Sequence, residues 1–322
     1  MAVERLGVGG MSNEMMQFYD RKLLSVAELN TVFMQYGVKR PIPARGGKSI
    51  QFRRFEKITV TAGSYTLTEG TNPLETQGTI TAVAATISQY GQFTKLSDLL
   101  ETQAYDPIAA EYTDKFGIAM GEGLDIVVRD GLSSATTLQY ANEKIQVGTS
   151  GTGAVGSGDY LDAAELLEIR RTLRRNGARP VTDGKFICFV HPDNSYDLMQ
   201  DPDIVDTLLH AAPRDANNPL FKGYLGDWQG LRFVETNNLR VRSSYGMSGA
   251  DVYEILVVGD EAYGVTELSA NAARMVFHNK ETEGGPLEMY STIGWKAALA
   301  AVILNNSFMG IVYVASSRTP AA

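Results

Sequence analysis

The segment of residues 58–94 limits what this chain can fold into more than any other part of the sequence. It contains only two charged residues, Glu69 and Glu75, together with ten threonines and few large apolar side chains. A two-stranded ribbon of this composition builds little core of its own and is only marginally stable in water. It also lacks the lysines that protect the exposed strand edges of monomeric proteins. Two interpretations follow: an ordinary sheet packed inside the domain, or an extended loop stabilised by lying on another copy of the chain.

The flanking sequence predicts a long β-hairpin, or a pair of hairpins, over residues 50–93. Polar and apolar residues alternate over residues 48–56 and again over residues 79–93, as expected for strands with one buried face. A turn signal at residues 69–73 lies between the two stretches. The alternation in the second stretch predicts that four apolar side chains share one side: Val83, Ala85, Ile87 and Phe93.

The composition predicts a reduced, soluble, intracellular protein with a sizeable core. Of the 322 residues, 44% are hydrophobic and 20% charged, which suits one large domain or two ordinary ones and excludes a disordered chain. The single cysteine excludes a disulfide framework and a multi-cysteine metal site. The longest apolar run, residues 297–304, is far shorter than the ~18 residues of a membrane span. The first ten residues show no signal-peptide core, so we expect no membrane partner.

Charge is unevenly distributed along the chain. Residues 1–60 contain ten Lys or Arg and five Asp or Glu, so they carry +5, and the net charge of −8 leaves −13 for the remainder. A chain with a pI near 5.1 has no global attraction for nucleic acid. The basic N-terminal part could contact nucleic acid or the acidic body of a neighbouring copy, and we favour the neighbour.

A long helix is predicted in the middle of the chain. It starts at Asp106–Pro107, an N-cap followed by proline at the first helical position, and ends near Gly131. About 24 residues at 1.5 Å each span ~36 Å. Glycines 117, 121 and 123 are expected to allow close approach of a neighbouring backbone. The apolar positions recur with helical spacing at Ile108, Tyr112, Phe116, Ala119 or Met120, Leu124 and Val127.

A second helix is predicted from about Asp159 to Gly177. Its acidic residues come first and its arginines last, an order that complements the helix dipole. The arginine cluster therefore needs no ligand to explain it. The arginines are Arg170, Arg171, Arg174 and Arg175.

From residue 185 onward the pattern changes to short strands and helices. Strands are predicted at residues 185–190, 231–234 and 254–258, and a helix begins at Pro192. Strand-like segments around Trp295, Leu304 and Val312 fill residues 289–314, and short helices are predicted at residues 11–20 and 22–34. The predicted fold class is α+β.

Two glycine motifs resemble nucleotide-binding loops but lack the required context. Residues 151–156 match G-x-G-x-x-G, yet Gly158 and Asp159 separate the motif from the next helix, and no acid lies about 20 residues further on. Residues 46–49 end in Gly-Lys-Ser, but Ile42 occupies the position of the first P-loop glycine and a strand follows. Residues 148–158 are therefore expected to form a flexible loop.

The sequence contains no recognisable catalytic, cofactor-binding or metal-binding constellation. The three histidines, His191, His210 and His278, are not spaced as a metal pair, and Cys188 lies in an apolar strand as an inert thiol. Asp201-Pro202-Asp203 is typical of a turn and helix cap. We predict no catalytic residues, no cofactor and no metal, and hence no enzyme.

Four segments, taken in order, resemble the major capsid proteins of tailed bacteriophages, which share the Hong Kong 97-type fold. With the arm, the hairpin and the long helix, the resemblance covers nearly the whole chain. The segments are residues 189–198 (FVHPDNSYDL), 230–238 (GLRFVETNN), 256–265 (LVVGDEAYGV) and 285–296 (GPLEMYSTIGWK).

The resemblance implies a division of the chain into five parts. It places a peripheral domain with the long "spine" helix beside an axial domain at the capsomer centre, with the hairpin lying across an adjacent subunit. The parts are an N-terminal arm at 1–47, an extended β-hairpin loop at 48–95, the peripheral domain at 96–180, the axial domain at 181–285 and a return to the peripheral domain at 286–322.

The resemblance also implies the function and the partners. Copies of the chain would form hexamers and pentamers of an icosahedral shell around double-stranded phage DNA, held without sequence specificity. A separate scaffolding protein, a portal and possibly a decoration protein would take part, and assembly would occur in the host cytoplasm before the protein resides in the virion capsid.

Two departures from the family and two alternative functions remain. The chain is too short before its hairpin to carry a cleaved scaffolding extension. It has no lysine in residues 58–94, and Lys57 lies at the base, so we predict no covalent cross-linking between subunits. The alternatives are a nanocompartment shell protein of the same fold and a soluble enzyme that uses the Gly148–Gly158 loop.

Overall fold

A computed structural model of the chain describes most of the predicted body. The described residues are 23–24, 26–27, 31–42, 47–56, 58, 69, 78–99, 108–140, 144–147, 155–181, 183–211, 226–267, 273–278, 287 and 289–318. The helix predicted at 11–20, the helix start at Asp106–Pro107, Lys57 and most of the 148–158 loop lie outside them.

Helices cover the arm, the middle of the chain and the segment after residue 190. They are α1 (Phe33–Tyr36), α2 (Ile108–Leu132), α3 (Ala163–Arg175), α4 (Pro192–Leu198) and α5 (Pro202–Ala211), with short 3₁₀ turns at Met247–Gly249 and Asn306–Phe308. The helices predicted near 106–131, after Asp159 and at Pro192 are thereby confirmed for the described residues. None of the described helices is long and apolar enough to cross a membrane.

The long helix α2, named the spine helix below, has 25 residues and packs along one face. Four of its buried residues, Phe116, Met120, Leu124 and Val128, follow the 3.6-residue period. Tyr112, which the sequence predicted on this buried stripe, is instead 36% exposed. At that turn of the helix the buried position is occupied by Thr113. The expected close approach is confirmed at Gly117, where a Cβ would lie 2.9 Å from Val26 of the arm.

Sixteen strands connect these helices in the described part of the chain. They are β1 (Val38–Arg40), β2 (Ser49–Phe55), β3 (Ile80–Thr86), β4 (Ser88–Ser97), β5 (Thr137–Tyr140), β6 (Lys144–Val147), β7 (Phe186–Val190), β8 (Asp227–Trp228), β9 (Leu231–Glu235), β10 (Val241–Arg242), β11 (Val252–Val258), β12 (Tyr263–Thr266), β13 (Ala273–His278), β14 (Tyr290–Leu299), β15 (Ala301–Ile303) and β16 (Met309–Val314).

The largest sheet has eight strands and forms the main core. Seven follow the order β6-β5-β16-β11-β7-β9-β8, and β10 pairs with β11. Every residue of β7, β11 and β16 is buried, which fits their continuous apolar sequences because both faces of such strands are covered. Strand β16 (residues 309–314) thus lies in the same sheet as the strands between residues 186 and 258. Strand β14 instead pairs with β4 in another sheet. The five domain boundaries stay predictions.

The hairpin prediction is correct for its base and wrong for its second strand. Strands β2 and β3 pair antiparallel, from Ser49 with Thr86 to Phe55 with Ile80. The predicted single strand over 79–93 ends near Ile87, and β4 instead pairs with β14 in the β13-β14-β4 sheet. Between β3 and β4 the more buried residues change from odd-numbered to even-numbered positions. Phe93 therefore does not lie on the same side as Ala85 and is 67% exposed.

Candidate assembly surfaces

The β2–β3 pair, named the ribbon below, has an inner face seated on the body of the chain. Ile50, Phe52 and Ala85 pack with Ala300 and Leu304 in a small cluster separate from the main core. A Cβ on Gly264 would lie 2.5 Å from the Phe52 ring, so only glycine permits this contact. A small number of apolar contacts therefore hold the inner face of the ribbon against the body of the chain.

Polar contacts fix the end of the ribbon at which Phe55 pairs with Ile80. Arg54 donates a hydrogen bond of 2.5 Å to the Leu304 carbonyl and forms an ion pair with Glu56. The Thr81 hydroxyl donates to the same Glu56 carboxylate at 2.9 Å. The hydrogen bond from Arg54, followed by that from Thr81, lowers the pKa of Glu56. Glu56 is thus kept ionised where the ribbon leaves the body.

The outer face of the ribbon ends in an exposed apolar pair. Phe55 and Ile80 lie directly opposite each other in the register, so their side chains share this face. They are 73% and 58% exposed, and neither belongs to a hydrophobic cluster of the described residues. This aromatic and this β-branched side chain contact each other, but most of their apolar surface is still exposed to water.

A groove of about 520 Å³ lies on the β13-β14-β4 sheet. Glycines 91 and 294 line it, and they are required because a Cβ on either would come within 2.7 Å of the opposite strand. The exposed Phe93 and the partly buried Val276 and His278 also line the groove. This combination leaves an apolar hollow where a side chain of another molecule can be received.

Asp125 joins the arm, the spine helix and the large sheet. Its buried carboxylate accepts hydrogen bonds from the backbone N–H groups of Val32 (2.9 Å) and Phe33 (2.8 Å) at the start of α1. The Asn238 side chain donates to the other oxygen at 3.2 Å. Burial raises the pKa of Asp125, and these hydrogen bonds oppose the rise.

Sequence reasoning missed Asp125, although a signal existed. It lies one helical turn from Gly121 and Val128, both buried, so an acidic residue stands on the core face of the spine helix. An acid in that position needs partners from another segment.

The C-terminal segment is fastened to α4. Asp197 accepts hydrogen bonds from the Ser316 hydroxyl, from the Ser317 hydroxyl and, at 3.1 Å, from the Ser317 backbone N–H. The Asn194 side chain donates to the Ala315 carbonyl at 3.1 Å. The end of β16 is thus held beside the helix that follows β7.

An ion-pair network lies at the β8 edge of the large sheet. Asp227 accepts hydrogen bonds from Lys185 at 2.5 Å and Arg232 at 3.0 Å, and Arg232 also contacts Asp183 at 3.1 Å. Burial alone would raise the pKa of Asp227, but the bonds from Arg232 and Lys185 outweigh it and lower the pKa. This edge is therefore sensitive to acid.

The residues considered for chemistry have structural positions. His191 caps α4 by accepting from the Asp193 N–H, and Asp201 accepts from the Asp203 N–H at 2.9 Å, which confirms the predicted cap. Cys188 is buried, as predicted, and burial raises the pKa of its thiol. Gly47 has a φ of +87° and is followed by a strand, as expected for a loop that is not a P-loop. Among the described residues no group of three His, Cys, Asp or Glu could hold a metal.

A family model described as phage capsid protein matches residues 80–314, which are 235 of the 322 residues. The match includes the spine helix, the large sheet and the grooved sheet. No curated protein matches the chain.

Solved structures with the same fold cover almost the whole chain. The capsid of cyanophage Pam1 is 14% identical over 99% of each chain, with a TM-score of 0.70. The capsid of Ralstonia phage GP4 is 14% identical over 86% of each chain, with a TM-score of 0.63. A virus-like particle from Pyrococcus furiosus is 11% identical over 93% of this chain and 99% of that chain, with a TM-score of 0.50.

These comparisons confirm the predicted α+β class and the Hong Kong 97-type capsid fold. At such low identities the structures show the fold, and the family match shows the membership. The chain belongs to the phage capsid protein family, as a major capsid protein that forms an icosahedral shell.

Proposed function

We propose that copies of this chain form pentamers and hexamers and that their shell encloses double-stranded DNA without sequence specificity. The −13 charge beyond residue 60 supports this, because an acidic wall gains little from releasing counterions of DNA and does not grip it tightly. A separate scaffolding protein and a portal, with or without a decoration protein, complete the assembly, which takes place in the host cytoplasm. The chain itself carries out no catalysis.

The exposed Phe55–Ile80 pair is the observation that carries the proposal of contact between subunits. The inner face of the ribbon is satisfied by its own chain, but the outer face presents two large apolar side chains to water. In a shell of many copies, another subunit is the available cover. The ribbon, the core of the predicted loop at 48–95, lies across that neighbour.

The groove on the β13-β14-β4 sheet is the surface we assign to receive the ribbon end. Its glycine floor and Phe93 offer an apolar hollow of about 520 Å³, large enough for an aromatic side chain. Donor and receiver are different patches of the same chain, so the contact is heterologous and closes into a ring when the rotation allows. Residues 181–285 would then lie nearer the ring axis as the axial domain.

Electron microscopy of the purified protein tests this function. We expect closed particles of megadalton mass for the natural chain and only small species for Phe55→Asp, because a charge cannot be buried in an apolar hollow without a partner. Arg53→Ser, two residues away on the same outer face, is the matched control and should assemble. Assembly of Phe55→Asp in normal yield would refute the ribbon contact, and a natural chain that stays monomeric with its scaffold would refute the shell.

The nucleic acid inside the particles tests the nanocompartment alternative. The nanocompartment shell of this hypothesis has the same fold as the phage capsid, so the contents of the particle and not the fold must distinguish the two. Particles that contain DNA of packaged length would support the phage capsid, and particles that contain only protein cargo would support the alternative.

A further inference from the structure

Two exposed arginines at the end of helix α3 have no acidic partner among the described residues. Arg171 is paired with Glu168, whereas no carboxylate of a described residue lies within 4.0 Å of Arg174 or Arg175, which are exposed. Arg170, one turn before Arg174, is half-buried, and its Nε has no hydrogen-bond partner in the described part of the chain. The helix dipole explains why the arginines are last, but it leaves three guanidinium groups unneutralised. Arg170, Arg174 and Arg175 are named the arginine surface below.

Burial and repulsion act together on this surface. Desolvation, followed by the charge of Arg174, lowers the pKa of Arg170. A Cβ on Gly230 would lie 3.2 Å from the Arg170 Nε, so the side chain is confined between the helix and this loop. Such a surface suits an anionic group from outside the chain.

The opposite end of the same helix has the complementary charge. A cleft of about 420 Å³, lined by Asp162, Asp197, Asp201 and Asp203, lies beside the start of α3. Asp162, Asp197 and Asp201 accept hydrogen bonds from backbone N–H groups. In the part of the chain that the structure describes, no Lys or Arg lies within 4.0 Å of these three carboxylates. The four aspartates are named the acidic cleft below.

The two surfaces cannot meet within one chain. Thirteen residues of helix separate them by ~20 Å. Two complementary patches on different parts of one molecule suit a head-to-tail contact between copies, which closes a ring when the rotation between the copies allows. Charge complementarity of this kind selects the partner and the register of an interface.

We propose that the arginine surface of one copy docks against the acidic cleft of the next copy around the capsomer. The partner is therefore a second copy of this chain. The inference rests on the assembly of the shell and adds a second contact to that of the ribbon. Its strength depends on salt, because exposed ion pairs are screened.

Charge reversal tests the docking. We expect Arg174→Glu combined with Arg175→Glu to reduce the yield of particles about tenfold or more, since like charges would then face each other. Gln200→Arg combined with Asp203→Arg lowers the charge of the cleft from −4 to −1, so it should reduce the yield less, and it spares the three aspartates that hold backbone N–H groups. All four changes in one chain place the two new arginines against the two new glutamates while each surface totals −1, so the yield should rise above that of Arg174→Glu with Arg175→Glu alone.

Several controls separate this inference from folding and from the shell itself. Glu168→Arg with Arg171→Glu exchanges an ion pair within one copy and should assemble normally. Circular dichroism of each variant reports folding, and if the reversal unfolds the chain, the neutral pair Arg174→Gln with Arg175→Gln replaces it, with a smaller loss of yield expected. The natural chain, assembled in parallel, tests the shell separately.

Two results would overturn the docking. One is a fourfold variant that is folded but assembles no better than Arg174→Glu with Arg175→Glu. The other is a normal yield for the reversed or neutral arginine pair; if those particles then lose nucleic acid, the arginine surface faces the packaged DNA instead.

Discussion

Phe52→Ala should detach the ribbon without unfolding the body of the chain. Phe52 is 1% exposed and is the largest side chain in the small cluster beneath the ribbon, which also contains Ile50, Ala85, Ala300 and Leu304. Removing a buried phenylalanine side chain costs about 3–5 kcal/mol. Each 1.36 kcal/mol changes an equilibrium tenfold, so the opening of the ribbon should become about 10²–10⁴ times more favourable. The cost stays local because this cluster is separate from the main core.

Hydrogen exchange of the unassembled subunit, followed by mass spectrometry, measures this opening. Amides of β2 and β3 should lose protection in Phe52→Ala, while those of β11 and β16 exchange as in the natural chain. Phe55→Ala is the matched control, since it removes the same side chain from a position that is 73% exposed. Unchanged exchange in β2 and β3, or equal acceleration throughout the large sheet, would refute the view that the ribbon is stabilised separately.

Three further predictions concern stability and covalent chemistry. Asp125→Ala should lower the free energy of unfolding in urea by about 2–4 kcal/mol, because two backbone N–H groups and the Asn238 amide lose a buried acceptor. Asp125→Asn keeps an acceptor and should lower this free energy less. Equal losses for the two variants would contradict this account. Because the pKa of Asp227 is lowered in the folded chain, its stabilisation is present above its ordinary value of 3.8 and lost as the pH falls through the folded-state pKa. The unfolding temperature should therefore change less between about pH 5 and pH 2 in Asp227→Asn than in the natural chain. An identical change in both would exclude a role for the ion pairs with Arg232. Particles boiled in detergent should give a single 35.0 kDa band, since residues 58–94 contain no lysine, and a ladder of linked subunits would contradict this.

Elements that depend on local chemistry could be predicted from the sequence. The spine helix has a glycine near its end and a regular apolar stripe, and α3 has Asp162 as a capping residue that accepts from the Glu165 N–H. These signals lie within one or two turns of the element that they define. The ordered motifs were specific enough to indicate the family. The arginines of α3 show the limit, because their position fits the helix dipole and the sequence could not reveal that Arg174 and Arg175 have no acidic partner among the described residues.

Partners that lie far away in the chain were decided only by the tertiary structure. The alternation over residues 79–93 was correct in kind, but the change of sheet at Ile87 depends on β14, some two hundred residues later, and it alone exposes Phe93. Likewise, β16 enters the middle of the large sheet, and Asp125 becomes a junction because the arm and Asn238 reach it. Periodicity and caps are encoded by neighbouring residues, so the helices, the apolar strands and the base of the hairpin could be predicted without the structure. The choice of strand partner and the pairing of buried charges depend on contacts between distant residues, which no local pattern records.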